Sequence, residues 1–236
     1  MQFFRNIRQK LFQNGAFKKY LIYAILEIFL VMVGILLAFQ VSDWDSDRKD
    51  RMAELTTYRN IRDQINNDKD RIRGQISGNG HYLSMFQMAM DIIESKDLTQ
   101  KDTLGKIAFN LTNYSDYDRK GNIYETLINS GQIKLLHNLE IVNRIKELED
   151  LYLYMNRMES IHYDAVIQYV VPSISTTIKL STGEIQNVDA VYGFEFQNLI
   201  YSLIHIMQEK DQTYKSARDH IDGVIELINE EVERNG

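Results

Sequence analysis

Twenty-two residues near the start of the chain, YLIYAILEIFLVMVGILLAFQV (Tyr20–Val41), constrain its fold more than any other stretch. The window Leu21–Phe39 holds 19 residues and one charge, Glu27. At about 1.5 Å of rise per residue, roughly 20 helical residues cover the ~30 Å hydrocarbon core of a bilayer. Apolar runs of this length are rare inside soluble domains, so a transmembrane helix over 20–41 is expected. The flanks agree. Tyr20 and Tyr23 lie at one end and Trp44 at the other, and amphipathic rings favour the membrane interface.

The charges on either side orient the span. Residues 1–19 carry Arg5, Arg8, Lys10, Lys18 and Lys19 and no acid, whereas SDWDSD follows the span with three aspartates before Arg48. The positive-inside rule puts the N-terminus in the cytoplasm and the rest outside. A cleaved signal peptide would have a shorter apolar region followed by a small-x-small site. AFQVSDW offers none, so an uncleaved signal-anchor is expected. The opening FFRNIRQKLF places Phe3, Phe4, Ile7, Leu11 and Phe12 on one helical face and Arg5 and Arg8 mostly elsewhere. It reads as an amphipathic helix on the inner membrane surface, with Phe3, Phe4, Arg5, Arg8 and Trp44 as anchors against membrane lipid. A disordered basic tail is the competing reading.

Glu27 then needs a reason, because a carboxylate at mid-bilayer costs about 2.5–3.5 kcal/mol on insertion scales. Ala24, Glu27, Val31, Gly34, Ala38 and Val41 recur at alternating intervals of three and four. That is the seam of a left-handed helix pair. Gly34 and Ala38 form a small-xxx-small pair that lets two backbones approach. The bulky residues Ile28, Phe29, Leu30, Ile35 and Leu36 lie mostly off this line. Three readings of Glu27 stay open: a protonated, hydrogen-bonded contact within a homo-oligomer, a contact to a different membrane protein, or proton or ion transfer.

Beyond the span, residues 42–236 carry ten more acidic than basic side chains. This argues against nucleic acid as a partner, since phosphates demand a basic face. The chain has no cysteine and one proline, which removes disulfide and thiol chemistry and leaves few helix breakers. An all-α fold is expected: a single N-terminal transmembrane helix continuing into a long helix, then a helical bundle. SGNG at 77–80 should end the long helix. The resulting divisions are a basic segment 1–19, a span 20–41, a helical stalk 42–76 and a bundle 77–236. Apolar residues recur every three or four places along 138–170, from Leu139 through Val142 and Ile145 to His162 and Val166, until Pro172 ends or kinks the helix. The same pattern over 195–232 gives the last helix. STGEIQNVDAVYG between them is the least regular stretch and carries a short hairpin signal.

No complete catalytic, cofactor or metal site emerges. Glu159-x-x-His162 has the spacing used in helical di-iron sites, but those need two such pairs and two more inward carboxylates. No second Glu-x-x-His exists, and His162 falls on the apolar stripe, which favours a satisfied core histidine. No Walker loop, dinucleotide-binding glycine motif or nucleophile elbow is present. The chain is read as a non-enzyme.

The stretch FFRNIRQKLFQNGAFKKYLIYAILEIFLVMVGILLAFQVSDW resembles the start of an uncharacterised family of single-pass membrane proteins in Gram-negative bacteria. The shared features are the basic aromatic opening Phe3–Lys10, the Lys-Tyr-Leu entry at Lys19–Leu21, and Glu27 and Gly34 within the span. YETLINSGQIKLLHN (Tyr124–Asn138) is similar to that family's second recurrent stretch. Leu26 stands where the pattern has Gly, and Ser42-Asp43-Trp44 where it has Asn-x-Trp. The resemblance implies an inner-membrane anchor with a helical periplasmic domain and no established activity. The expected function is therefore a membrane-anchored protein that self-associates through its span and presents a helical bundle as a scaffold or interaction surface. The alternative is a single-pass subunit of a proton- or ion-conducting complex that uses Glu27.

Overall fold

In the computed structural model, residues 16–117 and 121–235 are described; Phe3, Phe4, Arg5 and Arg8 lie outside them. Helix α1 (Ala16–Glu94) runs unbroken for 79 residues, as expected where no proline interrupts the ladder. The chain divides into two compact units between Ala53 and Glu54. In the first, the apolar run of α1 is exposed along its length: Leu21, Ile28, Leu30, Phe39 and Trp44 all show half or more of their surface. Among the described residues, α1 is the one helix long and apolar enough to cross a membrane.

The second unit is built on three long helices. They are the later part of α1, α4 (Leu139–Ala165) and α7 (Phe194–Asn235). Cross-contacts fix their directions. Asn79 meets Met207 and Lys69 meets Asp222, so α1 and α7 are antiparallel; His162 meets Lys210 and Arg144 meets His220, so α4 and α7 are too. Each helix buries a seam spaced alternately by three and four: Tyr58, Ile61, Ile65, Asp68 and Ile72 on α1; Ile141, Ile145, Leu148, Tyr152, Met155, Glu159, His162 and Val166 on α4 and the turn after it; Phe196, Ile200, Leu203, Met207, Lys210, Tyr214, Ala217 and Ile221 on α7. That is knobs-into-holes periodicity. The seam of α4 starts at Ile141; Leu139, assigned to it from the sequence, is exposed.

The expected helix end at Ser77–Gly80 is absent, and residues 54–76 supply core side chains to the same unit as the rest of the bundle. A 42–76 stalk and a 77–236 bundle are thus not the structural divisions. Tertiary contacts outweigh local propensity here. Asn79 is buried and donates its Nδ2 to the Met207 carbonyl at 2.8 Å, and Ile72 and Phe86 are buried on either side. The glycines still weaken the helix by about 1 kcal/mol each relative to alanine. A methyl group added at Gly78 would meet nothing within 4 Å. Gly78→Ala is therefore expected to raise the unfolding free energy by about 1 kcal/mol, read from the urea midpoint of the full chain in detergent.

Shorter elements close the unit. They are α2 (Lys101–Phe109), α3 (Ile123–Asn129), α5 (Val171–Thr177) and α6 (Val188–Val191). Gly131, at φ 74°, ends α3 in the left-handed conformation that glycine adopts without strain. Pro172 neither stops nor breaks the helical path. It sits in the first turn of α5, where its missing N–H costs nothing. The bend before it is a π turn, Val166–Val170, in which the Val171 N–H reaches back to the Val166 carbonyl. The extra residue shifts the seam: Val170 is buried next, and Tyr169 is turned out, 63% exposed. The expected hairpin is present as β1 (Ile178–Lys179) paired antiparallel with β2 (Glu184–Ile185).

Candidate functional site

The core of the second unit falls into two apolar clusters, one containing Phe86, Val166 and Met207, the other Ile72, Met155 and Tyr214. In each long helix the seam turns polar where one cluster gives way to the other. Asn79 stands there on α1, Glu159 and His162 on α4, and Lys210 on α7, all buried. This layer brings three buried ionisable side chains together at the junction of the two clusters.

Apart from Asn79, which donates to the Met207 carbonyl, its members are joined through residues 115–117. Lys210 Nζ donates to the Ser115 carbonyl at 2.7 Å and to His162 Nδ1 at 3.3 Å. Glu159 Oε1 accepts from the Tyr117 N–H at 2.8 Å and from the Tyr214 hydroxyl. The Tyr214 and Ser115 hydroxyl oxygens are 3.3 Å apart, and the Tyr114 ring stands edge-on to His162. Residues 114–117 thus lie over the layer and are tied to it.

Burial sets the charges. His162 is pushed down to about 3, first by desolvation and then by the Lys210 ammonium, so it is neutral at pH 7. Because Lys210 donates to Nδ1, the ring proton is on Nε2. Lys210 is lowered to about 8 by burial, against the pull of Glu159 and Asp116. Glu159 is raised by burial, opposed by the hydrogen bonds from Tyr214 and Tyr117. The Tyr214 hydroxyl is raised, by burial first and then by its bond to Glu159. The Glu159/His162 pair that suggested a metal site therefore faces an internal cation, which already occupies Nδ1. Among the described residues no group of three or more His, Cys, Asp or Glu side chains is arranged to hold a metal ion. What the layer can do is fix helix register and anchor a loop, since a polar group at a seam position is satisfied in only one alignment.

His162 makes stability pH-dependent. Its folded value, about 3, is below its ordinary 6.5. The unfolded chain binds a proton as pH falls through 6.5 and the folded chain does not, so stability present above pH 6.5 is lost on the way to pH 3. Between pH 6.5 and about 4.5 the loss is about 2 kcal/mol. His162→Leu should flatten the urea midpoint over that range by this amount.

Two further buried carboxylates serve the same connecting stretch. Glu149 Oε1 accepts the Ile123 N–H and Glu54 Oε1 the His137 N–H, both at 2.8 Å. Glu54 Oε2 also lies 3.1 Å from His137 Nδ1. Beside them the Tyr58 hydroxyl accepts the Asn138 N–H at 3.2 Å, and burial raises its pKa. Asn138 in turn caps α4 and donates to Glu231 at 2.9 Å. The stretch Tyr124–Asn138 is thus gripped at both ends.

Of the residues singled out from sequence, Ala24, Glu27, Val31, Gly34 and Ala38 are all exposed on one helix, as is Trp44. A methyl group at Gly34 would meet nothing within 4 Å. His162 is in the core, as the apolar stripe implied. Lys210, Asn79 and Asp68 were missed. Their signal was spacing: each fills a three-four seam place that a search for apolar residues skips.

No curated protein and no solved structure matches this chain. A family profile matches residues 27–209, which include most of the apolar run of α1, the polar layer from Asn79 to His162 and the gripped stretch, though not Lys210. The chain belongs to that family, a family of unknown function designated DUF6090.

Proposed function

We propose that α1 crosses the inner membrane of a Gram-negative bacterium once, with its N-terminus in the cytoplasm and the acidic helical unit in the periplasm. The protein is a non-enzymatic anchor that self-associates through its span and offers the helical unit as a scaffold or interaction surface. One observation carries this. Throughout the apolar run of α1 nothing is buried, and on its seam stands a glycine whose smallness no contact within the chain requires. A glycine in mid-helix is unfavourable by about 1 kcal/mol relative to alanine. Close approach of a second helix along Ala24, Glu27, Val31, Gly34 and Ala38 gives it a reason. Glu27 hydrogen-bonding across that interface adds a polar contact to it.

The test has two arms. A reporter active only in the periplasm should work when fused after Gly236 and fail before Met1; the reverse would overturn the orientation. In mild detergent, intact-assembly mass should fall for Gly34→Leu, which pushes the seam apart. It should hold for Glu27→Gln, whose amide still donates and accepts. An unchanged assembly in Gly34→Leu would remove the seam.

A further inference from the structure

The π turn that expels Tyr169 from the core also builds a groove on the outside of the helical unit. Asp164, Ala165 and Tyr169 lie on one wall and Glu195, Leu199 and Ser202 of α7 on the other, around an open volume of about 630 Å³. Ala165 and Leu199 pack from its floor onto the first core cluster, so the floor is apolar and backed by rigid structure. Small residues, Ala165 and Ser202, leave room for inserted side chains. Single π turns inside helices recur at functional sites.

Charge decides what fits. The lining holds two acids and no basic side chain, and neither Asp164 nor Glu195 has an ion pair among the described residues. The antiparallel run of α4 and α7 puts them toward opposite ends. Along α7 the lined stretch Glu195–Ile206 covers about 16 Å, or three helical turns. An apolar trough of that length between two helices suits a third helix laid into it. A second copy of this chain would bring a mainly acidic surface to acidic walls.

We propose that this groove takes an amphipathic helix of a partner protein. Its apolar ridge rests on Ala165 and Leu199, and basic side chains near its two ends pair with Asp164 and Glu195. The proposal rests on the reading of the helical unit as an interaction surface and is independent of membrane crossing and self-association.

The chain has no cysteine, so a single introduced thiol reports on one place. The probe is an alanine-based, stapled helical peptide with leucines at i, i+4 and i+7, a lysine near each end and one cysteine. Its twin carries glutamates for the lysines. Full-length protein in zwitterionic nanodiscs carries Asn198→Cys in the groove, or Ser216→Cys on the exposed face of the same helix as a control. With oxidised glutathione supplied as the two-electron oxidant, disulfide capture of the lysine peptide should be roughly tenfold faster at Asn198→Cys than at Ser216→Cys, two partly exposed ion pairs together supplying that factor. The glutamate twin should show no preference. Asp164→Lys with Glu195→Lys should exchange the two peptides' behaviour, which a merely misfolded variant would not do. Ala165→Trp should abolish the preference. Equal rates at the two thiols, equal capture of the two peptides, or faster linkage between two protein copies through Asn198→Cys would each overturn the proposal. If the fusion reporter still works after Gly236 while capture fails, the groove alone is refuted.

Discussion

Glu159→Leu is expected to cost the helical unit about 3–5 kcal/mol, the usual penalty for removing one partner of a buried charged network. Lys210 then keeps its charge in the core without the carboxylate that favours it, and the Tyr117 N–H and Tyr214 hydroxyl lose this acceptor. The second half of the experiment is more telling. Glu159→Leu combined with Lys210→Met replaces charge by apolar volume on both sides and should recover part of the loss, because no buried charge is then left uncompensated, while the Tyr117 N–H still lacks its acceptor. Urea unfolding followed by circular dichroism on the full chain in detergent reads all three. Glu147→Leu, an exposed acid on the same helix, should move the midpoint by no more than about 0.5 kcal/mol. If the double variant were as unstable as the single, the two side chains would not be acting as a pair.

The second large effect is expected at Gly105, where the substitution that helps at Gly78 should harm. A methyl group at Gly105 would collide with the Gly183 carbonyl oxygen and press on Ile185. Gly183 cannot readily yield, because it holds φ at 72° in the hairpin turn. Helix α2 lies directly on that hairpin, so the backbone itself must move. Overpacking of this kind costs 1–3 kcal/mol and occasionally more; about 3 kcal/mol is expected for Gly105→Ala, since backbone meets backbone. Amide exchange should quicken first in 101–109 and 178–185. The same substitution thus changes sign between two glycines of one chain: at Gly78 it acts mainly through the unfolded state, at Gly105 through a clash in the folded one.

The long helices were legible because their apolar seams repeat over many turns, and the hairpin because STGE carries turn chemistry. The errors share one cause. Ser77–Gly80 reads as a break because two glycines and a serine favour turns, yet the chain stays helical since Asn79 finds a carbonyl on α7. No local rule contains that contact. Lys210 and Asp68 escaped notice for the same reason, because a polar side chain can occupy a seam only when a distant residue satisfies it. Asp68 takes the Tyr152 hydroxyl, Lys210 the Ser115 carbonyl and His162. The groove was not foreseen either. It depends on one extra residue in a helical turn, and VIQYV carries no mark of a π turn that a periodicity of three and four would show. His162 was placed correctly, because histidine at a seam position is a core residue first and a ligand second.

Three glutamates, at 54, 149 and 159, hold the main chain of a connecting segment at Tyr117, Ile123 and His137. What they grip is backbone N–H, which every residue but proline presents. Tyr117 and Ile123 also bury their side chains in the second core cluster, so the number of residues between the anchors is constrained along with the anchors themselves. One residue inserted between Ile123 and His137 would carry an anchor past its carboxylate and strand a buried acceptor. Ordinary surface connections absorb insertions at little cost. Between Ile123 and His137 this one behaves as a measured length, with its count of residues set by the two carboxylates that hold its ends.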